Sequence, residues 1–148
     1  MPRKLREATS NRVFIDTNLF LRYLTNDQPK MADEVEKLLR RAAAGRVTLV
    51  THVLVMTEIV WTLASFYKVS REDIRDKVIA IVNTDGLEVE NAGLILQAAI
   101  AFADKNIDFI DAYTSAWCAV NLVPSVCTFD QSHFKRLAGV VANLPKDV

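Results

Sequence analysis

Val13-Phe14-Ile15-Asp16-Thr17-Asn18 decides how the rest of the chain is read. Val, Phe and Ile favour a short buried strand, and Asp16-Thr17-Asn18 are residue types that end strands in turns. Leu19 to Leu24 then reads as a first short helix, so the chain opens as strand, turn, helix. Outward from there the unit recurs. Asn26 and Asp27 are capping candidates before Pro29, which opens a helix with Val35, Leu38, Leu39 and Ala42 at helical spacing and Gly45 at its end. Val47 to Thr51 is strand-like, and Val53 to Tyr67 is helical. Ser70 caps another helix, with Asp73 as a weak capping-box partner and Ile74, Val78, Ile81 and Val82 as its buried face. Leu87 to Val89 is a strand, Ala92 to Ala103 an apolar helix, Asp108 to Val120 a helix, Pro124 to Thr128 a strand and Phe134 to Leu137 a last short element. This alternation predicts an α/β fold, a three-layer sandwich around a central, mostly parallel sheet.

The chain has 148 residues, 51% hydrophobic and 24% charged, which suits one globular domain over residues 13–148. Residues 1–12 carry Arg3, Lys4, Arg6 and Arg12 and read as a polar N-terminal arm. No apolar core follows those basic residues, so no signal peptide is read. The longest nearly uncharged apolar stretch, Ala92 to Ala103, is too short to span a bilayer. Cys118 and Cys127 form neither a CxxC nor a zinc pattern and read as free thiols of a reducing cytoplasm. The formal net charge is zero, 18 basic against 18 acidic residues, which argues against a broad basic surface for nucleic acid.

Four acidic residues qualify that balance: Asp16, Glu58 in Val55-Met56-Thr57-Glu58-Ile59-Val60, Asp111 in Phe109-Ile110-Asp111-Ala112, and Asp130 in Cys127-Thr128-Phe129-Asp130. Carboxylates flanked by apolar residues are costly to desolvate, and no Lys or Arg adjoins any of the four. A hard divalent cation is the simplest partner, because Mg²⁺ and Mn²⁺ prefer oxygen ligands. With the four set aside, 18 basic residues face 14 acidic ones, so phosphate binding around a metal-filled acidic pit is compatible with neutrality. In an open parallel sheet ligands bind at the carboxyl ends of the strands. Asp16 and Asp130 close or follow strands and would share a crevice if those strands are neighbours. Glu58 and Asp111 lie in the early turns of helices.

Each acid also has a plainer reading. Asp16, Asp108 and Asp130 are candidate helix N-caps, and Glu58 could face solvent. Asp108 shares a helix face with Asp111 at i, i+3, which leaves it a ligand role through water. His52 and His133, the two histidines, are candidate acid–base groups. Trp61, Phe66 and Tyr67 at helical spacing suggest core or a subunit contact.

The opening Val-Phe-Ile-Asp-Thr-Asn, the helix Val53-Leu54-Val55-Met56-Thr57-Glu58, the stretch Asp108-Phe109-Ile110-Asp111-Ala112 and the stretch Val126-Cys127-Thr128-Phe129-Asp130 together resemble a PIN-domain nuclease over about Val13 to Leu137. In size and motif wording the chain looks most like the VapC-type toxins of toxin–antitoxin pairs. The resemblance implies a metal-dependent endoribonuclease in which Asp16, Glu58, Asp111 and Asp130 ligate or organise one or two Mg²⁺ or Mn²⁺ ions. It implies Asn18 as a hydrogen-bonding residue behind the ligands, and Thr128 as one that orients a carboxylate or water. Arg22, Lys135 and Arg136, with Arg40, Arg41 and Arg46, are candidates for RNA phosphate contact. A homodimer is expected from the apolar helices around Trp61 and Val78 to Val82, as the resemblance also implies, and a cognate antitoxin would block the acidic pit. Rival readings are a housekeeping PIN nuclease and a non-catalytic module of the same fold. A receiver domain or haloacid-dehalogenase-like phosphatase fits less well, since Asp16 has no acidic neighbour in its strand and Asn18 stands where the latter needs Asp.

Overall fold

The alternation of strand and helix is realised in the computed structural model, which describes residues 11–148. Strand β1 (Arg12–Phe14) leads to α1 (Thr17–Thr25) and α2 (Pro29–Ala43). Strand β2 (Thr48–Thr51) leads to α3 (Val53–Ser65) and α4 (Arg71–Val82), and β3 (Leu87–Val89) to α5 (Ala92–Asp104) and α6 (Phe109–Val120). Strand β4 (Ser125–Cys127), a 3₁₀ turn (Phe134–Arg136), β5 (Val141–Asn143) and a second 3₁₀ turn (Pro145–Asp147) complete the chain. The fold class is the expected α/β sandwich on a parallel sheet. Arg12, assigned above to the arm, is the first residue of β1, and residues 1–10 of that arm lie outside the described residues.

β2 is the centre of a three-stranded parallel sheet, with Phe14 opposite Val50 and Thr51 opposite Val89. Its residues alternate, Leu49 and Thr51 buried and Thr48 and Val50 half-buried, as a strand with one core face requires. Against the core pack Ile15, Val55, Met56, Ile59 and Leu63, then Ile74, Val78 and Ile81, then Ile95, Ala98 and Phe102, then Phe109 and Ala112. Each fully buried aliphatic side chain contributes about 1.5–3 kcal/mol. Arg71 ties α4 to the end of α5: its guanidinium donates to the Phe102 and Ile107 carbonyls, both at 2.8 Å, and lies 4.2 Å from the Phe102 ring centre.

Two expectations need correction. β4 pairs in parallel with β5 in a separate two-stranded sheet, so the strands that lead to Asp16 and Asp130 are not hydrogen-bonded neighbours. β5 lies close to β4 in sequence, and closing that short loop costs less chain entropy than pairing with a distant strand. The cap of α2 is Gln28, without a side-chain bond, while Asp27 is held instead by Arg22, Thr25 and the Tyr67 hydroxyl. Val78 and Ile81 are core, as their place on the buried face of α4 predicts, and of the apolar helices expected to make a dimer it is α3 and the residue just beyond it that expose large apolar side chains, Leu54, Trp61 and Phe66.

Candidate functional site

Asp16 leaves β1 in extended conformation and is the N-cap of α1, its Oδ1 accepting the Thr17 N–H at 2.8 Å. The capping role weighed above is therefore real, and it leaves the second carboxylate oxygen free for other work. Thr17 is buried, and its hydroxyl donates to Glu58 Oε2 at 3.0 Å, across 41 residues of chain. One threonine thus holds two carboxylates, Asp16 by its backbone and Glu58 by its side chain. Glu58 projects from α3 into solvent while its neighbours Ile59 and Val60 are fixed in the core.

A second acidic group forms at the start of α6. Asp108 occupies the N-cap position but its carboxylate makes no capping bond. Asp111, half-buried, lies with Oδ2 2.7 Å from His133 Nδ1. The Asp108 backbone N–H also points at that nitrogen, from 3.4 Å. Both contacts cannot be made by one ring nitrogen, which either carries a proton or accepts one. A 2.7 Å approach to a carboxylate requires the proton, so Nδ1–H donates to Asp111 and the longer contact is incidental.

Asp130 lies past β4 in a turn of its own. Its Oδ1 accepts the Ser132 hydroxyl at 2.8 Å and the Ser132 N–H at 3.3 Å. These two bonds, the hydroxyl first, hold its carboxyl below the ordinary Asp range, with a smaller contribution from His133. The cap of the following 3₁₀ turn is His133, not Asp130. Thr128 bonds the backbone of Asp130, accepting its N–H at 3.1 Å, and does not touch the carboxylate.

Asp16, Glu58 and Asp130 are exposed and Asp111 half-buried. The desolvation expected from their apolar neighbours does not occur, because Ile15, Ile59 and Ala112 take the buried positions and turn the acids outward. Among the described residues no Lys or Arg forms an ion pair with any of the four, and His133 is the partner of Asp111. The structure brings Asp16 together with Glu58, and Asp111 together with His133. No hydrogen bond among the described residues joins the two groups, and no three His, Cys, Asp or Glu side chains there cluster closely enough to hold a metal ion. The donor chemistry nonetheless suits a hard divalent cation, since the donors are carboxylate oxygens that no Lys or Arg among the described residues neutralises.

Asn18 is exposed and lines, with Arg22, a cleft of about 530 Å³ between α1 and α2. Arg22 is engaged by both Asp27 oxygens, at 3.2 and 2.9 Å, and that bond raises its already high pKa. Arg136 donates to the Asn106 carbonyl at 2.8 Å, and Lys135 is exposed. His52 occupies the N-cap position of α3 without a side-chain capping bond, its ring 5.0 Å from that of Phe14 and its buried Nδ1 without a partner among the described residues. Thr17 and Ser132 were not singled out from sequence. A Thr directly after a strand-ending Asp and a Ser two residues after an Asp are the signals that point to them.

A family model described as PIN domain matches residues 13–140. The chain is 26% identical over 129 residues to a protein named VapC ribonuclease from Aquifex aeolicus (strain VF5), which covers 87% of this chain and 94% of that protein. No solved structure matches.

Proposed function

Because the chain belongs to the PIN-domain family, we propose that it is an endoribonuclease that hydrolyses RNA phosphodiester bonds with Mg²⁺ or Mn²⁺ held by Asp16, Glu58, Asp111 and Asp130. The similarity to a protein named VapC ribonuclease supports the further reading that it is the toxin of a type II toxin–antitoxin pair; we also propose that it is cytoplasmic, and homodimeric through the exposed apolar side chains of α3. Among the described residues no helix is long and apolar enough to cross a membrane. The observation that carries the catalytic reading is the set of four outward-facing carboxylates with no Lys or Arg ion-pair partner among the described residues, in the order of the family motifs.

A bound divalent cation supplies a water of lowered pKa and offsets charge on the scissile phosphate. The remaining work falls to the chain. Thr17 fixes Glu58 and Asp16 relative to each other through its hydroxyl and its N–H, which engage one oxygen of each. Ser132, donating its hydroxyl and N–H to Asp130, holds that carboxyl below the ordinary Asp range and favours its ionised, ligating form. Asp108, free of capping duty, accepts a bond from a water near Asp111. Lys135 neutralises a flanking phosphate of the RNA, with Arg136 and Arg22 beside it once they leave their present partners. Attack of water in line on phosphorus would break the P–O3′ bond, with the water's proton going in net to the leaving 3′ oxygen, and so leave a 5′-phosphate and a 3′-hydroxyl. An antitoxin silences the site by placing an Arg or Lys among the acids.

Asp16→Asn and Asp111→Asn each lower the Mg²⁺-dependent cleavage of total RNA by on the order of 10²–10³-fold. Asn keeps the cap of α1, and one fewer negative charge leaves the metal-free melting temperature equal or higher. Cleavage at the wild-type rate by both variants contradicts the assignment and favours a non-catalytic module of the same fold.

A further inference from the structure

We propose that His133 is the positioning residue for Asp111. This rests on the reading of Asp111 as a cation ligand. Nδ1 lies 2.7 Å from Oδ2, and its N–H donation occupies that carboxylate oxygen and leaves Oδ1, which the ring does not engage, for a cation or its water. A carboxylate on the first turn of a helix otherwise samples two-fold rotation about its terminal bond. The bond to the imidazole removes that freedom.

His133 is itself held in place. It precedes Phe134, which is buried, and lies three residues before Arg136, whose guanidinium grips the Asn106 carbonyl just ahead of α6. Gln131, on the other side, donates to the Ala142 carbonyl of β5 at 3.1 Å. The loop that carries Asp130 is thus fastened at both ends, and the imidazole is its one side-chain bond, among the described residues, to an acid of α6. His133 therefore links the Asp130 loop to the Asp111 helix, in the way that hydrogen-bonded partners behind metal ligands orient them.

The test compares His133→Asn, His133→Gln and His133→Ala with the wild type and Asp111→Asn. Asn places its amide nitrogen near the position of Nδ1, whereas Gln places its own near Nε2. The readouts are Mn²⁺ affinity by electron paramagnetic resonance and RNA cleavage at limiting and saturating Mn²⁺. The expected pattern is His133→Asn within about threefold of wild type, and His133→Gln and His133→Ala weakened ~10–100-fold in Mn²⁺ affinity, with cleavage partly restored by excess Mn²⁺. Equal behaviour of the Asn and Gln variants, or wild-type Mn²⁺ affinity in His133→Ala, overturns the positioning role while a defective Asp111→Asn leaves the acidic site standing. Wild-type Mn²⁺ affinity and cleavage in Asp111→Asn overturns both.

Discussion

At the scale of single residues, hydroxyl groups decide what the carboxylates do. Thr17 and Ser132 each bring a backbone N–H and a hydroxyl to acids that the sequence marks as unusual, and neither is conspicuous by itself. Asp27 follows the same chemistry away from the site. The Tyr67 hydroxyl, foremost, holds its carboxyl below the ordinary Asp range; burial, next in size, opposes it, and Thr25 and Arg22 add to the lowering. A depressed carboxyl stabilises the fold above its unfolded pKa, and that stabilisation is lost as pH falls through the folded value. Tyr67→Phe is therefore less stable than wild type at neutral pH, and the gap closes as the solution is acidified through the Asp27 titration. Thermal melts of both proteins as a function of pH, with the Asp27 carboxyl followed by NMR, check this. The four candidate acids were legible because acids stand out against apolar flanks. Their exposure was not, because side-chain direction depends on which neighbour wins the core, here Ile15 and Ile59.

At the scale of elements, helices were more legible than strands. α3, α4 and α5 carry long apolar periodicity, and α4 has Ser70 as a working cap, its hydroxyl accepting the Asp73 N–H at 3.2 Å. β5 was not read at all. Three residues, Val141 to Asn143, are too few for alternation to register, and their pairing with β4 is a tertiary choice. The same limit hid the division of the sheet, since sequence predicts strands but not which edges meet. The turn into β3 shows how tightly elements are fitted. Gly86 has φ +78, its carbonyl accepts the Leu49 N–H at 2.8 Å, and a Cβ there would stand 2.3 Å from the Ala42 carbonyl oxygen of α2. Gly86→Ala combines strain at positive φ with overlap against backbone, each of about 1–3 kcal/mol. Together these come to about 2–6 kcal/mol, so a fall in melting temperature of roughly 4–24 °C is expected by calorimetry, at about 2–4 °C per kcal/mol for a chain of this size.

At the scale of the whole molecule, the outer side of α3 presents Leu54 and Trp61 at i, i+7, with Phe66 just after the helix, each more than two-thirds exposed. Large apolar side chains grouped in this way mark association surfaces. Static light scattering at micromolar concentration is expected to give twice the chain mass, and Trp61→Glu to give the monomer mass with an unchanged circular dichroism spectrum. A monomeric wild type contradicts the homodimer. Glu58 lies on the same helix between Leu54 and Trp61, so the proposed subunit contact and the proposed active site share α3.

Catalysis as proposed requires that Asp16 and Glu58, held by Thr17, serve one cation site with Asp111 and Asp130. Mn²⁺ binding, titrated by electron paramagnetic resonance on wild type, Asp16→Asn and Asp111→Asn, decides it. The same high-affinity Mn²⁺ is expected to be lost from both variants. An Asp111→Asn protein that binds Mn²⁺ like wild type while Asp16→Asn does not would show that the two groups of acids work apart.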